Sequence, residues 1–125
     1  MSRLLVDTHA LLWWLTDDAG LSDAARAALA DPANDVLVST ASVWEIAIKR
    51  SLGKLDAPDT LLETISEQGF SYLAVTPWHA WRLASLPLHH RDPFDRLLAA
   101  QALVEGIPLV TGDPRFGPYG LGVLW

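Results

Sequence analysis

Acidic side chains stand at four separated places in this chain, and their chemical type suits them to hold divalent metal ions. They are Asp7, Glu45, the pair Asp92 and Asp95, and Asp113. Carboxylates that share one pocket repel one another unless a cation lies between them, and Mg²⁺ and Mn²⁺ prefer carboxylate oxygen as a ligand. Such an ion, or a pair about 4 Å apart, activates water and stabilises the charge that develops during phosphodiester cleavage. The acids therefore point to metal-assisted hydrolysis, provided that the fold brings them together.

The two aspartates of "RDPFDRLL" also have an explanation that requires no metal. Asp92 precedes Pro93 and suits the N-cap of a helix, a role worth about 1 kcal/mol. Asp95 would lie in the first turn of the same helix, where a carboxylate interacts favourably with the helix dipole. Taken singly, neither aspartate requires a chemical role.

The other acids differ in how easily structure alone explains them. Ser42 and Glu45 have the spacing of a helix capping box, and Asp113 before a proline suits the start of a turn. Asp7 lies between the apolar run "LLV" and an apolar helix, so we expect its carboxylate to be largely buried. Because an unpaired buried carboxylate is costly, Asp7 needs either a cation or hydrogen-bond donors.

Short apolar strands that alternate with helices must position these acids. The patterning predicts strands at Arg3–Val6, Asp35–Ser39, 72–75 and 108–111, with a possible fifth at 120–125. Between them it predicts helices, one N-capped by Ser22, one opened by Thr76 and Pro77, and others closed by Gly53 and Gly106. This alternation is typical of an α/β sandwich with a parallel sheet covered on both faces. The length fits one domain, residues 1–125.

Such a sheet binds ligands at the carboxyl ends of its strands, and this rule selects the same acids. Asp7 ends the first predicted strand, Asp113 follows the fourth, and Glu45 lies in the helix after the second. Asp92 and Asp95 begin the helix that leads into the fourth strand. We therefore expect all of them at one end of the sheet, where Thr8, Ser39 and Thr111 can orient ligands or metal-bound waters.

Composition limits the remaining possibilities. The 125 residues carry nine basic and fifteen acidic side chains, a formal charge of −6, whereas a passive nucleic-acid binder is usually basic. The absence of cysteine excludes thiolate metal sites and nucleophiles. The longest apolar run, "ALLWWL", is too short to cross a membrane, and no cleavable leader is recognisable, so the expected location is cytoplasmic.

Four stretches together resemble one known family. "LLVDTHALLWWL", "VSTASVWEIAIKRSLGKL", "HRDPFDRLLAAQA" and "LVTGDPRF" are similar to the motifs of PIN-domain ribonucleases, most closely the VapC-type toxins of toxin–antitoxin pairs. The resemblance covers nearly the whole chain, in the right order. It implies a PIN-like three-layer sandwich, with a central parallel sheet of four to five strands and helices on both faces. It also implies an endoribonuclease that depends on Mg²⁺ or Mn²⁺.

The resemblance assigns the metal-binding and catalytic acids to Asp7, Glu45, Asp95 and Asp113, and leaves Asp92 to capping or to support of the site. It further implies a homodimer, a cognate antitoxin whose basic segment suits an acidic surface, and an RNA substrate. Candidate RNA-binding cations, each of which also suits a solvated surface, are Lys49, Arg50, Arg91, Arg96 and Arg115.

Other functions stay open at this point. Asp7 at a strand end also suits an aspartyl-phosphate enzyme, but His9 stands where the haloacid-dehalogenase pattern needs a second aspartate. A signalling receiver domain would need an acidic pair after the first strand and a late lysine, and that arrangement is not present. A catalytically silent PIN-fold module that binds an antitoxin or RNA is the main alternative.

The tryptophans and histidines carry weaker signals. Core packing is the expected role of most of the six tryptophans, and the outward member of Trp13 and Trp14 suits an antitoxin groove or dimer surface. His89 and His90 precede Asp92, where we expect a loop role rather than contact with substrate.

Overall fold

The computed structural model describes residues 2–125, which form a parallel sheet between two layers of helices. The five strands lie in the order β3-β2-β1-β4-β5, and every neighbouring pair is parallel. They are β1 (Arg3–Val6), β2 (Asp35–Ser39), β3 (Ser71–Leu73), β4 (Leu109–Val110) and β5 (Val123–Leu124). The strand order reverses at β1, so the carboxyl ends of β1 and β4 flank the switch point at which such sheets bind ligands.

Six α-helices connect the strands within residues 2–125. They are α1 (Thr8–Leu15), α2 (Asp23–Ala30), α3 (Thr40–Ser51), α4 (Leu61–Glu67), α5 (Pro77–Arg82) and α6 (Pro93–Glu105). Two 3₁₀ segments, Leu83–Ser85 and Pro114–Tyr119, follow α5 and β4. None of the helices in this part of the chain has the length and apolar character needed to cross a bilayer.

Alternate side chains of each strand pack into two separate cores, which is what a sheet covered on both faces requires. Leu4 and Val6 of β1 join a core with residues of α1 to α4, whereas Leu5 between them joins a second core with α6. The same alternation divides Val36 and Val38 from Leu37 in β2. The predicted α/β sandwich with helices on both faces is therefore confirmed.

Two local details differ from the sequence prediction. The capping-box interpretation of Ser42 and Glu45 is wrong, because α3 begins at Thr40 and Ser39 is its N-cap, accepting a 3.0 Å hydrogen bond from the Ala41 amide. The third strand was predicted at 72–75 but lies at Ser71–Leu73. It ends there because its partner strand also ends at Ser39, where the chain turns into α3.

Candidate metal and active site

Asp7 connects β1 to α1 and is held by both of its carboxylate oxygens. Its side chain is 5% exposed, and Oδ1 accepts a 2.7 Å hydrogen bond from the Ala10 amide, which makes Asp7 the N-cap of α1. Oδ2 accepts a hydrogen bond from the Thr111 hydroxyl. Burial raises the pKa of Asp7 above its ordinary value, although these two hydrogen bonds oppose that shift. The donors that a buried carboxylate requires are therefore supplied by the protein.

Thr111 joins the two strand ends that carry acids. While its hydroxyl donates to Asp7, the same oxygen accepts a 3.1 Å hydrogen bond from the Asp113 amide. Thr111 is buried directly after β4, the neighbour of β1 in the sheet. The Thr111 side chain thus fixes the Asp7 carboxylate relative to the backbone of Asp113.

Asp113 is paired with two basic side chains. Arg115 donates from Nε to Oδ1 at 3.0 Å and from Nη2 to Oδ2 at 2.9 Å, and His90 Nε2 lies 3.0 Å from the same Oδ2. Burial alone would raise the pKa of Asp113, but the hydrogen bonds from Arg115 and His90 outweigh it and lower the pKa to about 2. Asp113 is therefore ionised throughout the physiological pH range.

The two aspartates at the start of α6 have different environments. Asp92 is the N-cap, as its sequence position predicted, and its Oδ1 accepts hydrogen bonds from the amides of Phe94 at 2.8 Å and Asp95 at 3.1 Å. Asp95 instead lies 3.0 Å from His90 Nε2 through its Oδ2. Burial, and next the charge of Asp92, raise the pKa of Asp95 from 3.8 to about 6, and the charges of Glu45 and Asp7 also contribute. Asp95 is thus in the electrostatic field of the acids from β1 and α3.

Glu45 lies on α3, and only one of its two carboxylate oxygens has a hydrogen-bond partner among residues 2–125. It is 4% exposed, and its Oε2 accepts a 2.9 Å hydrogen bond from Lys49 Nζ, one helical turn along α3. Its Oε1 is buried and has no hydrogen-bond partner among residues 2–125. The bond to Glu45 raises the pKa of Lys49. A buried carboxylate oxygen without a hydrogen-bond partner costs free energy, and a bound cation would supply the missing interaction.

His90 is the site residue that sequence reasoning missed. It is 2% exposed, and its Nε2 lies between Oδ2 of Asp95 and Oδ2 of Asp113. Its Nδ1 accepts a 3.2 Å hydrogen bond from the Asp92 amide, so the ring proton of the neutral imidazole is on Nε2. His90 therefore donates a hydrogen bond to Asp113, and its ring also lies against the Asp95 carboxylate. The available signal was its position two residues before Asp92, whose amide reaches back to the ring.

The four acids Asp7, Glu45, Asp95 and Asp113, here called the acidic cluster, fit a divalent cation. Ligand atoms of Asp95, Asp113 and His90 lie within 4.8 Å of one another. Carboxylate oxygens dominate the set, which is the chemistry that Mg²⁺ and Mn²⁺ prefer. The unpartnered Oε1 of Glu45 is a further buried ligand atom. Lys49 and Arg115 contact Glu45 and Asp113 and offset part of the charge of the acids, and the His90 ring contacts Asp95 and Asp113.

The other predicted site residues have varied positions. Thr8 donates to Ser42 at 2.9 Å, and Ser39 caps α3, so both hydroxyls organise the ends of elements beside the cluster. Arg50 forms an ion pair with Asp59 at the far end of α3. Arg91 is exposed, and Arg96 donates to the carbonyls of Leu83, Leu86 and Pro87, which closes the loop before α6.

Comparison with known proteins agrees with this architecture. Residues 4–120 match the model of the PIN domain. Ribonuclease VapC22 of Mycobacterium tuberculosis is 30% identical over 118 residues, which cover 92% of this chain and 90% of that protein. Among solved structures, DNA-bound VapBC from Salmonella typhimurium superposes with a TM-score of 0.73 at 16% identity, covering 98% of this chain and 97% of that one.

A second solved complex has the same fold. VapBC2 from Rickettsia felis, bound to a DNA fragment from its promoter, gives a TM-score of 0.71 at 14% identity, and covers 97% of this chain and 96% of that one. At these identities the structures establish the fold, whereas the sequence match over residues 4–120 establishes the family. The chain belongs to the PIN-domain family.

Proposed function

We propose that this protein is a metal-dependent endoribonuclease and the toxin of a toxin–antitoxin pair. The observation that carries the proposal is the convergence of Asp7, Glu45, Asp95 and Asp113 at the carboxyl ends of β1 and β4. A relative that is 30% identical over most of both chains is a ribonuclease. The family resemblance selects the same four acids, and the effect of the Glu45 and Asp7 charges on the pKa of Asp95 supports their proximity.

The acidic cluster is suited to bind Mg²⁺ or Mn²⁺ through its carboxylates. Bound there, such an ion would supply a nucleophilic water and stabilise the charge on the phosphodiester during hydrolysis. Thr111 fixes Asp7 while it also holds the backbone of Asp113, so two of the four acids keep their relative position without the ion. Glu45 offers the buried Oε1, which accepts no hydrogen bond from residues 2–125.

The basic side chains around the cluster have two uses. Lys49 and Arg115 neutralise Glu45 and Asp113, which reduces the repulsion among the acids. Their side chains are 43% and 60% exposed, so each is free to turn toward a phosphate once a cation takes its place. RNA is then held by local cations even though the formal charge of the chain is −6.

The activity is tested with purified protein and single-stranded or structured RNA. We expect cleavage with Mn²⁺ or Mg²⁺ and none with a chelator, with Asp7→Asn or with Asp113→Asn. Arg26→Gln, which removes a cation paired with Asp17, is the matched control and should cleave normally. Cleavage that survives both chelation and Asp7→Asn would refute the metal mechanism.

A silent binding module is the competing proposal, and metal titration separates the two. A protein that takes up no Mn²⁺ and cuts no RNA would favour the silent binding module.

We also propose a cognate antitoxin and a homodimer, since two structures with this fold are VapBC complexes. Co-purification of the product of the adjacent open reading frame, together with the mass of the free protein in solution, tests both.

A further inference from the structure

An aromatic pocket opens beside the acidic cluster. It encloses about 390 Å³, within the range of small-ligand sites. Asp7 and Asp113 form one side of it, and His9, Trp13 and Trp125 form much of the remainder. The ring centroids of His9 and Trp13 are 6.2 Å apart, and those of Trp13 and Trp125 are 6.0 Å apart.

The sheet explains why Trp125 lies next to the site. Val110 of β4 pairs with Leu124 of β5, so the residues after these two strands emerge together at the carboxyl end of the sheet. Trp125 lies against the backbone of Gly112, where a Cβ would be only 2.7 Å from Cε2 of the indole. Only glycine allows this approach, and the next residue is Asp113. The indole therefore lies beside a carboxylate of the cluster.

The lining favours an uncharged planar group over a phosphate. Among the described residues that form the pocket, the charged side chains are the two aspartates, and no lysine or arginine is present. Trp125 is 38% exposed, which leaves ring surface available for a ligand. Unstacked RNA bases bind to aromatic rings in this way, and each such contact is commonly worth about 1–3 kcal/mol.

We propose that this pocket is a nucleobase subsite of the RNA substrate. The inference rests on the proposed function, because it places the scissile phosphate at the acidic cluster and a neighbouring base against Trp125 and Trp13. The shared wall of Asp7 and Asp113 makes the two positions contiguous. The subsite would contribute to the choice of cleavage position, since bases differ in stacking and in the hydrogen bonds that they offer.

The test combines an abasic substrate with a change of the ring. Wild-type protein and Mn²⁺ first define the scissile step in a single-stranded RNA oligonucleotide. Each nucleotide flanking that step is then replaced by an abasic residue. We expect one abasic position to raise KM by about tenfold for the wild type, in line with the loss of one stacked base. Trp125→Leu should raise KM on the intact RNA by a similar factor and should be insensitive to that abasic position.

Two further variants separate stacking from general damage. Trp125→Phe keeps a ring and should restore most of the affinity and the sensitivity to the abasic position. Trp81→Leu removes a tryptophan that is 78% exposed in a different groove, and it should behave like the wild type. The subsite proposal would be overturned if the abasic residue raised KM equally in the wild type and in Trp125→Leu. It would also be overturned if Trp125→Leu left KM on the intact RNA unchanged, which is the result expected if the pocket receives a protein partner.

A binding arm keeps failure of the subsite distinct from failure of the proposed function. The affinity of the same oligonucleotides is measured with Asp95→Asn protein, with and without Trp125→Leu. Loss of affinity that depends on Trp125 supports the subsite even where turnover is slow. If wild-type protein cuts no RNA, the proposed function fails. If it cuts RNA and Trp125→Leu leaves both KM and affinity unchanged, only the subsite fails.

Discussion

Replacing Asp95 with asparagine should stabilise the metal-free protein while it abolishes cleavage. The Asp95 side chain is 18% exposed, and its pKa is raised from 3.8 to about 6, first by burial and then by Asp92. An acid whose pKa is raised in the folded state costs stability when it ionises, so stability is lost as the pH rises from about 4 to above 6. A shift of this size corresponds to about 3 kcal/mol at pH 8. The amide of the asparagine carries no charge, so this cost disappears in the variant.

Thermal unfolding in the presence of a chelator measures the effect. At pH 8 we expect Asp95→Asn to unfold about 10 °C higher than the wild type, since a domain of this size gains a few degrees per kcal/mol. At pH 4 the difference should be small, because the wild-type carboxyl is then largely protonated. Added Mn²⁺ should stabilise the wild type and leave the variant nearly unchanged. If Asp95→Asn is destabilised equally at pH 4 and pH 8, ionisation of Asp95 does not lower the stability of the wild type and the reasoning is wrong.

The remaining predictions concern three features of the same site. Asp92→Ala removes the N-cap of α6 and should lower the free energy of unfolding by about 1 kcal/mol, as measured by urea denaturation, while cleavage persists. If the variant folds but no longer cleaves RNA, Asp92 belongs to the metal site. Thr111→Val leaves Oδ2 of Asp7 without its donor and should cost about 1–3 kcal/mol of unfolding free energy and most of the activity. Thr111→Ser is the control that keeps the hydroxyl, and equal behaviour of the two variants would show that the hydroxyl is dispensable. The affinity for Mn²⁺ should rise as the pH increases through about 6, because a proton on Asp95 competes with the ion. Calorimetry measures this affinity, and an affinity that does not change with pH would exclude Asp95 as a ligand.

The sheet was predictable, and the acids could be named as candidates, because both depend on local patterns. Apolar alternation in Arg3–Val6 and Asp35–Ser39 sorts side chains to two faces, and the spacing of the helices leaves little choice but a parallel sheet. The capping-box interpretation of Ser42 and Glu45 was wrong because Ser39 and Ser42 both suit an N-cap, and only the end of β2 decides between them. Sequence alone cannot rank two caps that differ only in tertiary context.

The features that escaped prediction depend on contacts between distant segments. His90 gains its role only when the loop before α6 folds over Asp113, 23 residues further along the chain. Trp125 becomes part of a pocket only because β5 pairs with β4 and Gly112 leaves room for the indole. Neither residue belongs to a spacing pattern, so neither was distinguishable from an ordinary loop or core residue.

The hydrogen bond between Thr111 and Asp7 spans 104 residues, and it has a consequence for how the protein is made. During synthesis, Asp7, Glu45 and Asp95 all leave the ribosome before Thr111 and Asp113, and β1 lacks its β4 neighbour until then. A chain truncated after Gly106 would carry three of the four acids and would lack the Thr111 hydroxyl that bonds to Asp7, and we expect it to cleave nothing. The nascent polypeptide is therefore expected to become competent to attack RNA only after the segment through Asp113 has left the ribosome, which delays any damage to the message that encodes it.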